Sequence, residues 1–318
     1  MVIPTFRRAP FLPQILAPLL ADPGVMEIIV VVDGSPDDSI ELLERMTLDD
    51  PRLRSHWQEN AGAGAARQAG LELARGEVVL LLDDDVLAGP GLGSGHAAAA
   101  QAYPGCAIVG YMPVAPAIIR TSDSVTTELY AREYEQQCRD YLERPDAVLE
   151  HLWMGNVSLP RTVGLAVGLG DPGLVDLFPF EDREVGLRLH AAGVPAVFLP
   201  SLQAAHLHRR PIDRFRDDAR RQGVALQVMF DRHPDAVAAP TPEALHGWLP
   251  LPVRLLLDLV YRQPDLGLPL SAVLAQATRS AGGLQLWRLQ RRLLLLVRHV
   301  AQAQGAGSAA QPRTGARG

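Results

Sequence analysis

Three consecutive carboxylates, Asp83, Asp84 and Asp85, follow an apolar run that has the composition of a buried strand. Adjacent carboxylates repel one another, so this placement is favourable mainly when a divalent cation or a hydrogen-bonding ligand offsets the repulsion. Side chains alternate along a strand, which predicts that Asp83 and Asp85 share one face and that Asp84 lies on the other. The triplet therefore predicts a metal or ligand site, with an acidic loop after a core strand as the alternative.

Polar side chains also end three other strand-like runs of the chain. The first run ends in Pro4 and Thr5, the second in Asp33, and the third close to Asn60. Ligands of parallel α/β sheets bind at the carboxyl ends of the strands, so we expect these residues to converge with the carboxylate triplet. Each signal is weak by itself, because Asp33 followed by Gly34 is also the composition of an ordinary turn.

A glycine-rich segment precedes a predicted helix that bears one arginine. Gly62 and Gly64 allow close approach of the backbone, the amino terminus of the helix attracts anions, and Arg67 adds a cation. This combination predicts a phosphate position. Helix capping by the glycines is the alternative.

The hydrophobic pattern predicts the scaffold that positions these residues. Strands are predicted at residues 2–4, 27–33, 52–58 and 77–83, and helices at residues 11–20, 39–46 and 63–74. This βαβα order indicates an α/β fold with a mainly parallel sheet that helices cover on both faces.

The composition excludes several classes of protein. A formal charge of −6 over 318 residues argues against a nucleic-acid binder. No Lys occurs, which excludes a Schiff-base lysine mechanism and a Walker-type phosphate loop. Two cysteines give neither a disulfide framework nor a cysteine zinc site, and they fit a reducing cytoplasm. No apolar run approaches the ~18 residues that span a bilayer.

Together these motifs resemble those of the family 2 glycosyltransferases. The nucleotide-sugar half of the resemblance rests on residues 3–8, 31–35, 60–70 and 81–85. The second half rests on residues 178–189, in which an adjacent Glu and Asp open a predicted helix. The resemblance spans residues 2–232, and the order and spacing of its motifs make it more specific than any single motif.

The resemblance implies an α/β fold of the GT-A type, a single domain with a mainly parallel central sheet flanked by helices, followed by a C-terminal helical extension. The expected GT-A domain comprises residues 1–232, with a nucleotide-sugar-binding half (1–110) and an acceptor and catalytic half (111–232). We expect a Pro-rich linker at 233–252, the helical extension at 253–304 and a disordered tail at 305–318.

The resemblance also assigns a donor site. Thr5 and Asp33 would contact the nucleobase or its ribose, Arg67 would lie near the base or the diphosphate, and Asp83 would approach the ribose. Further residues expected to bind substrate are Pro4, Asn60 and Asp84.

By the same resemblance, Asp85 would hold a Mg²⁺ or Mn²⁺ ion that bridges the diphosphate, with Asp83 as a second carboxylate. A histidine at the position of His206 can complete such a site in related enzymes, whereas the alternative is a surface histidine. Hard cations suit carboxylate and phosphate oxygens, and Mn²⁺ also accepts imidazole. The ion would neutralise charge on the departing nucleoside diphosphate.

Inverting transfer requires a base that takes the proton from the acceptor hydroxyl. Asp182 is our candidate, with Glu181 beside it, at the start of a predicted helix. The helix dipole favours the charged carboxylate, while burial against Phe178 and Phe180 would raise its pKa, and the sequence leaves the balance open. Capping of the helix amino terminus is the alternative role for this pair.

The residues that bind the acceptor are harder to identify from the sequence. A helix is predicted at residues 125–142, and Trp153 and Asn156 are expected to bind substrate. Trp153 is a candidate platform for an acceptor sugar, although large aromatic residues more often pack in the core. Expected acceptors are carbohydrates, lipid-linked molecules or small molecules.

The C-terminal residues 253–261 and 284–302 have apolar residues at helical spacing, and the second stretch also bears arginines. Both packing against protein and peripheral contact with an anionic membrane surface explain this pattern. The expected location is cytoplasmic, with the inner face of the membrane as an option.

The implied function is metal-dependent, inverting transfer of a sugar from a nucleoside-diphosphate sugar, with UDP favoured, to a hydroxyl group in polysaccharide, glycolipid or other glycoconjugate synthesis. One alternative is a sugar-nucleotide-binding protein without activity. The other is a sugar-phosphate nucleotidyltransferase, which usually needs a lysine that this chain lacks.

Overall fold

The computed structural model describes residues 1–115, 120–170 and 180–311. The chain forms two units, each with its own internal contacts. The first, called the sheet unit below, comprises residues 1–115, 131–170 and 181–208. The second, the helical unit, comprises residues 120–130, 180 and 209–311.

The sheet unit contains eight strands among the described residues: β1 (Val2–Thr5), β2 (Ile28–Asp33), β3 (Leu53–Gln58), β4 (Val78–Leu82), β5 (Val86–Ala88), β6 (Ala107–Tyr111), β7 (Asn156–Pro160) and β8 (Ala196–His206). Their order in the sheet is β3-β2-β1-β4-β7-β6-β8-β5. The four predicted strands all form.

The predicted parallel arrangement holds for one half of this sheet. β3, β2, β1 and β4 are parallel neighbours. β7 runs antiparallel between β4 and β6, and the short β5 runs antiparallel to β8, so the sheet is mixed. This mixed sheet flanked by helices is the architecture of a GT-A domain.

The helices are α1 (Leu12–Leu20), α2 (Ser39–Asp49), α3 (Ala63–Leu73), α4 (Leu92–Ala102), α5 (Ser124–Glu143), α6 (Arg161–Val167), α7 (Glu181–Ala191), α8 (Ile212–Arg232), α9 (Pro242–His246), α10 (Leu251–Arg262), α11 (Gly267–Gly283) and α12 (Trp287–Ala310). The three helices predicted in the first 75 residues correspond to α1, α2 and α3.

Close packing of α3 on the sheet positions the glycine-rich segment. All six residues of β2 are buried, as expected for a strand covered on both faces. Gly70 of α3 lies directly on this layer, because a Cβ at this position would come within 2.3 Å of a methyl group of Val2 and 3.2 Å of one of Val31. The contact holds the amino end of α3 at the carboxyl ends of β1 and β2.

The helical unit has its own apolar core. Leu294 and Val297 of α12 are fully buried with Ile212 of α8 and Ala275 of α11. A second cluster joins Leu257 and Val260 of α10 to Val300 and Ala303 of α12. One face of α12 is therefore buried by packing within the protein. Among the described residues, no helix has the length and apolarity required to cross a bilayer.

The units divide the chain at other positions than the predicted boundaries. α8 lies before the expected boundary at residue 232, yet it belongs to the helical unit. The predicted linker contains α9. The predicted disordered tail is wrong for residues 305–310, which continue α12 because Gly305 lets this helix approach α8 closely: a Cβ at Gly305 would lie 2.0 Å from the carbonyl oxygen of Arg220.

Candidate active site

The carboxyl ends of the parallel strands meet at one edge of the sheet, as predicted. Thr5 lies opposite Val32 in the register of β1 and β2, and Asp33 lies opposite Gln58 in that of β2 and β3. Pro4 is buried within β1, so Thr5 is the residue of this pair whose side chain reaches the edge, where it donates to Asp84.

The carboxylate of Asp33 occupies the anion position that the sequence had assigned to a phosphate. One of its oxygens accepts hydrogen bonds from the backbone N–H of Ala61 and from the amide of Gln58, both at 2.8 Å. The other accepts from the N–H of Gly62 at 2.9 Å, just before α3 begins. The side chain of Asn60 donates to the carbonyl oxygen of Asp33 at 2.8 Å. Asp33 and Asn60 thereby fix the loop that leads into α3.

The three carboxylates after β4 each have different partners. The strand ends at Leu82, so strand alternation does not extend to the triplet and the prediction that Asp83 and Asp85 share a strand face was wrong. Asp83 accepts a hydrogen bond from Arg67 at 2.6 Å. Asp84 accepts one from the hydroxyl of Thr5 at 2.8 Å.

Asp85 lies between two cationic or imidazole groups. Arg8 donates to one of its oxygens at 3.1 Å, and Nε2 of His206 lies 3.3 Å from the other. Arg8 also approaches Asp84, with Nε 3.6 Å from a carboxylate oxygen. The pairing of β5 with β8 explains the position of His206, which lies opposite Val86 in the register.

Arg67 connects the carboxylate triplet to the predicted base. Its guanidinium is buried and donates to Asp83 and, at 3.1 Å, to Asp182. The other oxygen of Asp182 accepts from the backbone N–H of Met154 at 2.9 Å. Arg67 is thus held by two carboxylates, and within the described chain its Nε has no hydrogen-bond partner.

Residues 1–146, which include the first three strand ends and the carboxylate triplet, match the model of glycosyl transferase family 2. This part of the chain is similar to the domains of that family. The chain is 30% identical over 221 residues to validoxylamine A glucosyltransferase of Streptomyces hygroscopicus subsp. jinggangensis (strain 5008), an alignment that covers 61% of this chain and 52% of the relative. The chain thus spans about half the length of that relative.

Two solved structures show the same fold. The mannosyltransferase PcManGT of Pyrobaculum calidifontis, in complex with GDP-Man and Mn²⁺, superposes with a TM-score of 0.57 at 17% identity, covering 94% of this chain and 84% of that one. TarS 1–349 of S. aureus, in complex with UDP, superposes with a TM-score of 0.50 at 15% identity, covering 96% and 88%. Both likenesses confirm the GT-A architecture.

The pKa values of Asp84 and Asp85 are shifted in opposite directions. Burial raises the pKa of Asp84 to about 6, against the opposing effect of the Thr5 hydroxyl. Burial also pushes the pKa of Asp85 upward, but the hydrogen bond and charge of His206 and the charge of Arg8 outweigh it and lower this pKa below its usual value. Asp85 is therefore ionised throughout the neutral range.

The two acidic residues that open α7 have raised pKa values. Burial and then the charge of Asp182 raise the pKa of Glu181 to about 7. Burial also raises the pKa of Asp182, and Asp83 adds to this effect while Arg67 opposes it. A carboxyl group that titrates near neutral pH is suited to accept a proton from a hydroxyl group. Phe178, which the sequence placed against Asp182, lies outside the described residues.

The donor set of Asp85 and His206 fits the chemistry of a Mn²⁺ ion. Within the described residues no three His, Cys, Asp or Glu side chains converge as a metal cluster. Two protein ligands suffice in sites where substrate phosphates and water complete the coordination, as is common for Mg²⁺. Asp83, which was expected as a second carboxylate ligand, is instead held by Arg67.

Of the two residues predicted on the acceptor side, one is buried and the other is partly buried. Asn156 is fully buried, accepts from His96 at 3.0 Å and donates to the carbonyl of Leu202 at 3.0 Å, so its amide is used by the fold. Trp153 is partly buried against the core, and its ring lies 5.0 Å from that of Tyr134.

Sequence reasoning gave no role to Arg8 or His96. Arg8 belongs to the motif of residues 3–8, and the signal that could have identified it is an arginine placed three residues after the end of β1. His96 shows no sequence signal, since its partners Asn156 and Ser158 lie some 60 residues away on β7.

Proposed function

We propose that the chain is a metal-dependent, inverting glycosyltransferase that moves a sugar from a nucleoside-diphosphate sugar to a hydroxyl group of an acceptor. The observation that carries this proposal is the pair of ion pairs made by Arg67. One is with Asp83, at the edge of the sheet where the parallel strands end (the donor edge), and the other is with Asp182 at the start of α7. A cation suited to the diphosphate and a carboxylate suited to the acceptor proton are thus in direct contact.

In the donor site, Thr5, Asp33 and Asp83 would face the nucleoside, and Arg67 would face the base or the diphosphate. Asp85 and His206 would hold the Mn²⁺ or Mg²⁺ ion, which when bound would neutralise charge on the departing diphosphate. Arg8 is a second cation at this position, 3.1 Å from Asp85. PcManGT was solved with both GDP-Man and Mn²⁺, which supports this class of ligand.

In the transfer step the acceptor oxygen attacks the anomeric carbon from the face opposite the leaving group. The bond between this carbon and the diphosphate oxygen breaks, the proton of the acceptor hydroxyl passes to a carboxylate, and the configuration inverts. Asp182 is the proposed base, and Glu181 is the adjacent alternative. Because Asp182 is paired with Arg67, the base becomes available when a diphosphate competes for the guanidinium.

UDP is the favoured nucleotide, which the structure of TarS in complex with UDP supports. GDP is the alternative, because PcManGT was solved in complex with GDP-Man. The proposed acceptor is a carbohydrate, a lipid-linked molecule or a small molecule. Similarity to validoxylamine A glucosyltransferase supports a small-molecule acceptor. Synthesis of cell-envelope polysaccharide, a cytoplasmic location and contact of the C-terminal helices with a membrane stay predictions.

The experiment is calorimetric titration of the full chain with UDP, GDP and dTDP, with and without Mn²⁺, alongside Asp85→Ala. Metal-dependent binding of one nucleotide by the wild type, lost in Asp85→Ala, is the expected result. Equal binding by both proteins would overturn the role of Asp85. Binding without turnover of the matching sugar nucleotide across an acceptor panel would favour a binding protein, and turnover of a sugar 1-phosphate with a nucleoside triphosphate would favour a nucleotidyltransferase.

A further inference from the structure

The turn between α11 and α12 exposes several large apolar side chains. Three of them, Leu284, Leu286 and Leu289, are 70, 48 and 47% exposed, and we call them the leucine trio. By contrast, Leu294 and Val297, only one or two turns further along α12, are fully buried. The amino end of α12 is therefore exposed, whereas later turns of the same helix pack into the protein. Residues 284–292 are called the projection below.

Three arginines share this projection. Arg288, Arg291 and Arg292, the arginine trio, are all exposed, and none of them makes an ion pair within the described chain. No Asp or Glu occurs anywhere after Asp265, whereas seven Arg do, although the whole chain carries a net charge of −6. The chain after Asp265 is thus positively charged, and three of its arginines lie in the same segment as the exposed leucines.

The projection is held in a defined conformation. The N–H of Leu286 donates to the carbonyl of Ala281 and that of Gln285 to Gly282, which is the pattern of a Schellman turn. Gln285 has φ 57°, a left-handed conformation that costs a non-glycine residue about 1 kcal/mol. Gln290 is buried and donates to the carbonyl of Ser122 at 2.7 Å.

Trp287 lies at the base of the same projection. The guanidinium of Arg120 stacks on its ring at 4.1 Å, and Arg120 is itself paired with Glu128. The ring still has 37% of its surface exposed. An aromatic residue between exposed leucines and arginines is typical of segments that lie at a membrane–water interface.

We propose that residues 284–292 dock the protein on the surface of an anionic phospholipid bilayer. The leucine trio enters the interfacial region, and the arginine trio pairs with lipid phosphates. A lipid surface is favoured over a second protein because a stable protein interface needs about 20–30 residues a side, whereas this projection offers nine residues. Charge complementarity selects anionic lipids, because no carboxylate lies within the segment.

The exposed face of α10 does not carry the same inference. Leu251, Leu255 and Leu259 lie one helical turn apart and are exposed, but Asp258 shares this helix and Arg254 is paired with Glu243. No charge there selects an occupant.

The experiment is flotation of the full chain with vesicles, without any nucleotide, so that its outcome is independent of the proposed transferase activity. We expect binding to phosphatidylcholine vesicles that contain about one third phosphatidylglycerol and not to pure phosphatidylcholine, with a loss of binding as salt rises. Replacing the arginine trio by Gln lowers the partition coefficient about a hundredfold, because each basic residue near an anionic surface contributes about fivefold. Leu284→Ser with Leu289→Ser lowers it at least tenfold.

Two matched controls keep the fold and the net charge comparable. Arg45, Arg132 and Arg139 are exposed in the described chain, and their joint replacement by Gln removes the same charge elsewhere. Leu48→Ser with Met26→Ser removes exposed apolar side chains outside the segment. Both controls are expected to bind vesicles within twofold of the wild type.

A wild type that stays with neither kind of vesicle overturns the proposal, as does binding that the leucine and arginine variants retain in full. Light scattering supplies the remaining outcome. A dimer that Leu284→Ser with Leu289→Ser dissociates, without vesicle binding by the wild type, assigns the projection to a second copy and rejects the lipid surface.

Discussion

Arg67 donates to Asp182 at 3.1 Å, so the proposed general base is paired with a buried cation. The same guanidinium is held by Asp83 at 2.6 Å. A diphosphate that approaches Arg67 would compete with both carboxylates, and its binding would release Asp182 to accept a proton. In the proposed mechanism, donor binding and activation of the base would be coupled through this one side chain.

Replacing this buried cation should destabilise the protein. Arg67→Gln leaves Asp83 and Asp182 without their shared cation, and we expect a loss of about 3 kcal/mol in the free energy of unfolding near pH 7.5. The loss should shrink at pH 5, because burial raises the pKa of Asp182 and a protonated Asp182 no longer needs the cation. Urea denaturation at both pH values measures it, with the exposed Arg7→Gln as a control. An equal loss at both pH values would contradict the electrostatic explanation.

Substitution of the acidic pair at the start of α7 should separate the base from its neighbour. We expect Asp182→Asn to lower kcat by about 10²–10⁴ and to leave the Kd of the nucleotide within a few-fold, because the amide keeps the size of the side chain. Glu181→Gln should retain most of the turnover. The reverse result, with Glu181→Gln inactive and Asp182→Asn active, would transfer the role of base to Glu181.

The acid limb of the pH–rate profile tests the same assignment. A base must be ionised, so kcat/KM should rise with pH through the pKa of the group that accepts the proton. If Glu181 is that group, the midpoint lies near its pKa of about 7 and disappears in Glu181→Gln. With Asp182 as the base, the limb persists in Glu181→Gln. Measurement of both profiles with saturating metal distinguishes the two.

Arg8 should compete with a metal ion for Asp85. Its guanidinium lies 3.1 Å from the carboxylate and is about one third exposed, so the pair is worth about 0.5–1 kcal/mol. Arg8→Gln should therefore bind Mn²⁺ about two- to fivefold more tightly in the absence of nucleotide, as measured by electron paramagnetic resonance titration. Arg7→Gln is the neighbouring control. Weaker Mn²⁺ binding by Arg8→Gln would mean that Arg8 supports the site rather than competes for it.

The sequence allowed the donor edge to be predicted because local signals sufficed there. Each of the first four strands is an apolar run with a polar end, and parallel pairing brings such ends together whatever their partners are. Which of these side chains contact one another depends on which strands are neighbours in the sheet. Arg8 reaches Asp85 because β1 and β4 are neighbours, and no spacing in the sequence reports this.

The acceptor side was harder to predict because β7 enters the sheet antiparallel between β4 and β6. This insertion buries Asn156, which was predicted to bind substrate. Similarly, the tail from residue 305 was predicted to be disordered, whereas the lack of a side chain at Gly305 and Gly307 permits close helix packing in α12. In both cases tertiary contacts decided the outcome.

His96 gives the last prediction, which concerns stability in acid. It is buried between Ser158 and Asn156 at 2.8 and 3.0 Å, and burial lowers its pKa from 6.5 to about 4. The unfolded chain therefore binds a proton at this residue before the folded chain does, so stability is full above pH 6.5 and falls as the pH drops toward 4. The contribution lost over this interval is about 3 kcal/mol. Denaturant titrations of His96→Gln should show lower stability at pH 7.5 but a flatter decline into acid than the wild type. The exposed His190→Gln should keep the wild-type slope, and an unchanged slope in His96→Gln would remove His96 as its cause.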